Sequence, residues 1–200
     1  ARRSTEESGG LYEPFRAHGC EALTRTTDKE AAVSLTPSER ASLIQQYADG
    51  PARLRSAFHA VPPAAIQWRP KPGEWSAHEV VVHCADSETQ AAARIRMLVT
   101  EREPVIQGYD EAAWARDLDY HAHPTDISLD IVDAVRGHTS VLLRRLPDSA
   151  WAKVGRHTQM GRYAAEDWLK IYAEHLEDHA RQIEANIWLM TPSLPAGPPP

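Results

Sequence analysis

The stretch AEDWLKIYAEHLEDHARQIEANI, Ala165 to Ile187, is where the fold can be read. Ala165, Trp168, Leu169, Tyr172, His175, Leu176, His179, Ile183 and Ile187 recur at steps of three and four, which places them on one face of an amphipathic helix that follows Gly161. A globular chain buries such a face. His175 and His179 therefore point, with the apolar residues around them, into whatever the helix packs against.

Three further segments carry the same periodicity. The first begins at Thr36-Pro37-Ser38-Glu39, where Thr36 can cap, Pro37 suits the first helical position and Glu39 completes a capping box. Leu43, Ile44, Tyr47, Leu54, Ala57, Phe58 and Val61 supply its apolar stripe, and Gly50-Pro51 is expected to kink or interrupt it. The second opens with Ser76-Ala77-His78-Glu79, a second capping box, with Trp75 placed to pack on Val80 as a hydrophobic staple. Val80, His83, Cys84, Ser87, Ala91, Ile95 and Leu98 then form its stripe, so His83 faces inward. The third runs from about Ser128 to Leu146, with Leu129, Val132, Val135, Thr139, Leu142, Leu143 and Leu146 in phase and Pro147 ending it. An all-α four-helix bundle follows.

The connection between the second and third helices, roughly residues 101–126, is unusually long for neighbours in a bundle and holds Pro104, Gly108 and Pro124. A helix of about 22 residues is about 33 Å long. A linker of this size can return the chain along the whole bundle and start the third helix parallel to the second, as one crossover.

With 200 residues, the chain fits one domain: a bundle over 35–190, a loose N-terminal arm over 1–34 and a Pro-rich tail over 191–200. Its 22 basic and 28 acidic side chains give a net charge of -6 and no Lys/Arg cluster, which argues against nucleic acid as a partner. No apolar run approaches the roughly 18 residues needed to span a bilayer, so no membrane association is expected. Two cysteines, Cys20 and Cys84, form no C-x-x-C spacing and exclude a disulfide framework. Arg2 and Arg3 are followed by no apolar region of the secretory kind, so a cytoplasmic location is expected.

Two imidazoles at i and i+4 on one helix face can converge on one ion, and His175-Leu176-Glu177-Asp178-His179 has that spacing. His83 is the other histidine that periodicity buries deep in a helix, and three protein ligands would leave positions open for water or substrate. In a chain with 10 histidines the spacing by itself is equally compatible with two satisfied core residues. It also lacks the Glu that directly follows the first His in zinc peptidases.

The run RPKPGEWSAHEVVVHCADSE, Arg69 to Glu88, resembles the start of the second helix in the DinB/YfiT superfamily. Arg94-Ile95-Arg96, Gly108-Tyr109-Asp110-Glu111 with Trp114, Gly155-Arg156-His157 and the segment from Tyr172 through His175 to Gln182-Ile183 resemble that family's remaining signatures in order, over about residues 36–188. The resemblance implies an up-down-down-up four-helix bundle, with a divalent metal held by one histidine of the second helix and two of the fourth. Those positions here are His83, His175 and His179, and zinc and nickel are the first candidates for the ion. It also implies a small-molecule substrate and a metal-dependent enzyme, either a hydrolase or an S-transferase that activates a low-molecular-weight thiol such as bacillithiol or mycothiol. The alternative is a stress-associated protein that holds a metal or small ligand without turnover, and the lack of an evident general base in the sequence keeps it open. Homodimerisation through an outer face is compatible with a bundle.

Around the three histidines, Asp86, Glu88, Tyr172 and His157 are the candidates to orient a ligand imidazole or to touch substrate. The competing reading pairs Asp86 or Glu88 with Arg94 and leaves His157, His121 and His123 as exposed loop residues. Tyr172 lies one turn before His175. Cys84, one position from His83, reads as a small core residue.

Overall fold

The structure is a computed structural model and describes residues 34–190. The expectations for the N-terminal arm, for Cys20 and for the Pro-rich tail fall outside these residues. Four long helices build the domain: α1 (Pro37–His59), α2 (Ala77–Thr100), α4 (Thr125–Leu143) and α6 (Ala165–Met190), with the short α3 (Glu111–Asp117) and α5 (Asp148–Trp151) in the connections. Both capping boxes form, Thr36 with Glu39 and Ser76 with Glu79, so α1 and α2 start where their sequences place them. No helix is long and apolar enough to cross a membrane among the described residues.

The two halves of the core reveal the direction of each helix. One half joins Leu54 and Phe58 from the end of α1, Val80 and Val81 from the start of α2, Leu129 and Val132 from the start of α4, and Leu176 and Ile183 from the later part of α6. The other joins Ile44 and Tyr47, Ile95 and Leu98, Leu143, and Trp168 and Leu169 from the opposite ends of the same helices. The order is up-down-down-up: α2 and α4 run parallel, and so do α1 and α6. Burying each such Leu or Ile contributes about 1.5–3 kcal/mol.

Three details differ from the sequence reading. The third long helix occupies Thr125–Leu143 rather than about 128–146, and Pro147 precedes α5 instead of ending α4. The connections also carry a small sheet, β1 (Val105–Ile106), β2 (Val154–His157) and β3 (Gly161–Ala164), with β1 parallel and β3 antiparallel to β2. Strands this short give too little alternation to be recognised in sequence. The sheet fastens the crossover to the α5–α6 connection.

The third difference lies in α1, which continues without interruption through Gly50-Pro51. Pro51 has no N–H to give the Tyr47 carbonyl, four residues back. Arg136 of α4 supplies the missing donor, its Nη1 lying 2.7 Å from Tyr47 O. Gly50 leaves the space for it, because a Cβ there would stand 2.5 Å from Arg136 Nη1. The sequence breaker is thus a notch that receives a buried guanidinium.

Arg136 is fully buried, donating also to Glu88 Oε1 at 2.6 Å and to Tyr172 O at 2.7 Å. Removing one member of a buried ion pair strands the other, at a cost of about 3–5 kcal/mol. Arg136→Met is accordingly expected to lower unfolding free energy by that amount in urea titration; a loss below about 1 kcal/mol would show that Glu88 is satisfied without it.

Candidate metal centre

Helical periodicity brings His83 of α2 against His175 and His179 of α6. Their ring centroids lie 5.6 Å (His83–His175), 4.8 Å (His83–His179) and 4.6 Å (His175–His179) apart. One nitrogen from each can be chosen so that all three lie within 4.8 Å of one another. His83 and His179 are buried, while His175 is partly open to solvent.

Hydrogen bonds decide which nitrogens are available. His175 Nδ1 lies 3.1 Å from Glu88 Oε1, and His179 Nδ1 lies 2.9 Å from Gln182 Oε1. Both oxygens are acceptors, so each ring carries its proton on Nδ1 and turns the Nε2 lone pair inward, as metal-ligating histidines commonly do. The Ser87 hydroxyl lies 3.3 Å from His175 Nε2. His83 Nδ1 is buried with no hydrogen-bond partner, and an orphaned buried nitrogen beside two imidazoles suits a ligand to a cation. The donor set suits a divalent ion.

Burial, followed by the neighbouring imidazoles, pushes His83 well below the ordinary histidine range and His179 down to about 3. Both rings are neutral at pH 7 and hold their lone pairs ready. Glu88 is fully buried; burial raises its carboxyl, but the charge of Arg136 and hydrogen bonds from His175 and Arg136 outweigh that and hold it at about 2. An ionised Glu88 orients His175. Trp75 covers the far side of His83, with centroids 4.7 Å apart.

The remaining candidates separate. Tyr172 packs on His175 at 5.6 Å between centroids, and its hydroxyl accepts from Arg94 Nη1 at 3.0 Å. Asp86 accepts from the Tyr120 hydroxyl at 2.7 Å and so ties the crossover to α2. Neither Asp86 nor Glu88 pairs with Arg94, contrary to the ion pair expected from sequence, because Arg136 and His175 take Glu88 from the core side. His157 is buried on β2 rather than exposed in a loop, its Nδ1 accepting from the backbone of Gln159 and Met160 in the hairpin turn, and it is not among the imidazoles that meet. His121 bonds Ser76 Oγ at 2.8 Å, and His123 is exposed. Cys84 is a buried core thiol whose pKa burial raises well above the usual value.

Three contributors escaped the sequence reading. Gln182 lies three residues after His179, a spacing at which the sequence could have paired them. Arg136 lies in phase with Val132 and Thr139, yet an arginine at a core position is normally discounted. Glu111, in the first turn of α3, is half-buried and near enough to His175 and Arg94 for both to act on its charge; burial raises its carboxyl pKa, and its interactions with those two side chains oppose the rise.

An up-down-down-up bundle with three imidazoles from two helices meeting at its centre defines a class of histidine-centred helical proteins, and the comparisons name it. Residues 46–183 match the DinB superfamily, and the chain belongs to that family. It is 30% identical over 140 residues (70% of this chain, 81% of the relative) to the "Putative metal-dependent hydrolase OB0782" of Oceanobacillus iheyensis. It is 27% identical over 151 residues (75% and 85%) to the "Putative metal-dependent hydrolase YfiT" of Bacillus subtilis. The solved structure of YfiT, described as "a probable metal-dependent hydrolase with an unusual four-helix bundle topology", superposes with a TM-score of 0.72 at 26% identity, covering 83% of this chain and 94% of YfiT. A mycothiol-dependent maleylpyruvate isomerase shares the fold at a TM-score of 0.59 and 14% identity, covering 72% of this chain and 60% of that one.

Two acid transitions are expected for metal-free protein. Histidines kept neutral by burial stabilise the fold fully above the unfolded value of 6.5 and lose that contribution as pH falls from there toward about 3 for His179. Glu88, depressed to about 2 from 4.5, adds a loss only below 4.5. Urea midpoints should therefore already fall between pH 7 and pH 5 in the wild type, and less so in His179→Asn; equal declines in both would remove the buried neutral imidazole as the cause.

Proposed function

We propose that this chain is a metal-dependent hydrolase of a small-molecule substrate, with a zinc or nickel ion held by His83, His175 and His179. The observation that carries it is the convergence of three imidazoles, two with a proton held on Nδ1 by Glu88 and Gln182. The hydrolase descriptions of the relatives point the same way. A bound divalent ion supplies Lewis acidity, lowering the pKa of a coordinated water or thiol and polarising the substrate.

The protein's own groups do the rest. Glu88, anchored by Arg136, keeps His175 in one tautomer and one orientation. Glu111 takes the role of general base in this reading: a half-buried carboxyl whose pKa burial raises, in electrostatic reach of His175, it accepts the proton that water loses as its oxygen bonds to the electrophilic carbon. It can then return that proton to the leaving group. The hydrophobic shell of Trp75 and Tyr172 limits solvent at the imidazoles. S-transfer from a low-molecular-weight thiol is the alternative chemistry for the same centre, and assays with and without added thiol separate the two.

Protein purified without a nickel column should contain close to one divalent ion per chain by elemental analysis and hydrolyse members of an ester, amide and lactone panel, with chelation abolishing turnover. His83→Ala and His179→Ala are expected to lose metal at least tenfold; unchanged content in both variants removes the assignment. Glu111→Gln should keep its metal while hydrolysis falls about 10²–10⁴-fold, and full activity in that variant would exclude it as the base.

A further inference from the structure

Arg94 lacks the carboxylate that its sequence neighbourhood offers. Asp86 is taken by Tyr120, and Glu88 by Arg136 and His175. Arg94 instead donates from Nη1 to the Tyr172 hydroxyl at 3.0 Å and from Nη2 to Gln107 O at 2.8 Å, while its Nε is buried with no acceptor. It makes no ion pair among the described residues. The Tyr109 ring lies against its guanidinium, 5.6 Å from centroid to Cζ, and the buried Tyr109 hydroxyl has only a loose hydrogen-bonding interaction, with Ser87.

This patch adjoins the histidine cluster. Tyr172 bridges the two, its hydroxyl on Arg94 and its ring on His175. The crossover supplies the other wall through Gln107 and Tyr109, and β1 holds that segment to β2. A half-buried guanidinium with no direct ion pair, with the Glu111 carboxylate acting on it only through its field and with an Nε–H that finds no acceptor, is poorly served by its own fold. Its solvent-exposed edge, at Nη2 beside the Gln107 carbonyl, is open to an external anion, and a planar carboxylate can take two N–H groups of a guanidinium at once.

We propose that Arg94, with Tyr109, forms an anion subsite that reads a carboxylate on the substrate, set apart from the reacting bond by the width of the Tyr172 ring. The inference rests on the functional reading above for its meaning, since it narrows the substrate class to small carboxylic acids bearing a hydrolysable bond. Arg94 here is a specificity residue. It binds the invariant end of the substrate and leaves the bond-breaking end to the imidazoles and Glu111. A lysine would keep the charge but lose the fork and the stacking on Tyr109.

The test follows the arginine Nε–Hε resonances of the full-length, nitrogen-15-labelled protein, with the Arg94 signal identified by its absence from Arg94→Lys. Succinate and the neutral isostere succinamide are titrated at constant ionic strength, before and after chelation of metal. The expected result is a saturable movement of the Arg94 signal at about tenfold lower succinate than succinamide, present in both metal states and weakened several-fold in Tyr109→Phe. Equal response to the two probes, or a drift no larger than that of exposed Arg145, overturns the subsite. So does a movement that vanishes with the metal, because the ion and not Arg94 would then seat the anion. Since the chelated arm needs no metal, loss of metal binding in the histidine variants can sink the hydrolase reading while leaving this result standing.

Discussion

One guanidinium joins all four long helices at the middle of the bundle. Arg136 belongs to α4, and it binds the Tyr47 carbonyl of α1, the Glu88 carboxylate of α2 and the Tyr172 carbonyl of α6. Its charge lies over the Tyr47 ring, 4.1 Å from the centroid. Burying an ion pair stabilises little or nothing relative to well-packed apolar residues. What this one supplies is register, because each partner is a particular backbone or side-chain atom and a slip of any helix would leave a buried charge unsatisfied. The same pair then fixes His175, so the placement of the centre and the alignment of the bundle share one cause.

Much of this was legible in the sequence, and the reasons are local. Capping boxes at Thr36 and Ser76 and stripes at steps of three and four fixed where α1 and α2 begin and which faces they bury, and so put His83 and His179 inside with the partly exposed His175 beside them. The length of the linker foretold that α2 and α4 run parallel. What could not be read was anything that depends on which distant residue meets which. The sequence offers Glu88 a partner in Arg94, six residues on in the same helix, but cannot show the arginine of another helix that packing brings to it, Arg136. Pro51 reads as a break because sequence shows the lost N–H but not the replacement donor. His157 reads as a loop residue because four-residue strands leave almost no pattern.

The crossover is more than a return path. Tyr120 is tied to Asp86, His121 to Ser76, and β1 to β2, and the same segment sets Tyr109 against Arg94 and Glu111 within electrostatic reach of His175. In an antiparallel bundle with tight turns, nothing would cover this part of α2. The topology thus provides a segment that can carry chemistry without interrupting any of the four helices.

The parallel arrangement also bears on how the chain reaches its native state. The most extensive pairing is that of α1 with α6, the first and last long helices, followed by α2 with α4 across the long crossover. Contacts so distant along the chain must close large loops before they gain burial, which slows folding relative to up-and-down bundles. During synthesis, α1 has to wait for nearly the whole domain to emerge before its main mate arrives. Until then its apolar stripe stays available to other surfaces, so a nascent or truncated chain is the form of this protein most prone to aggregate.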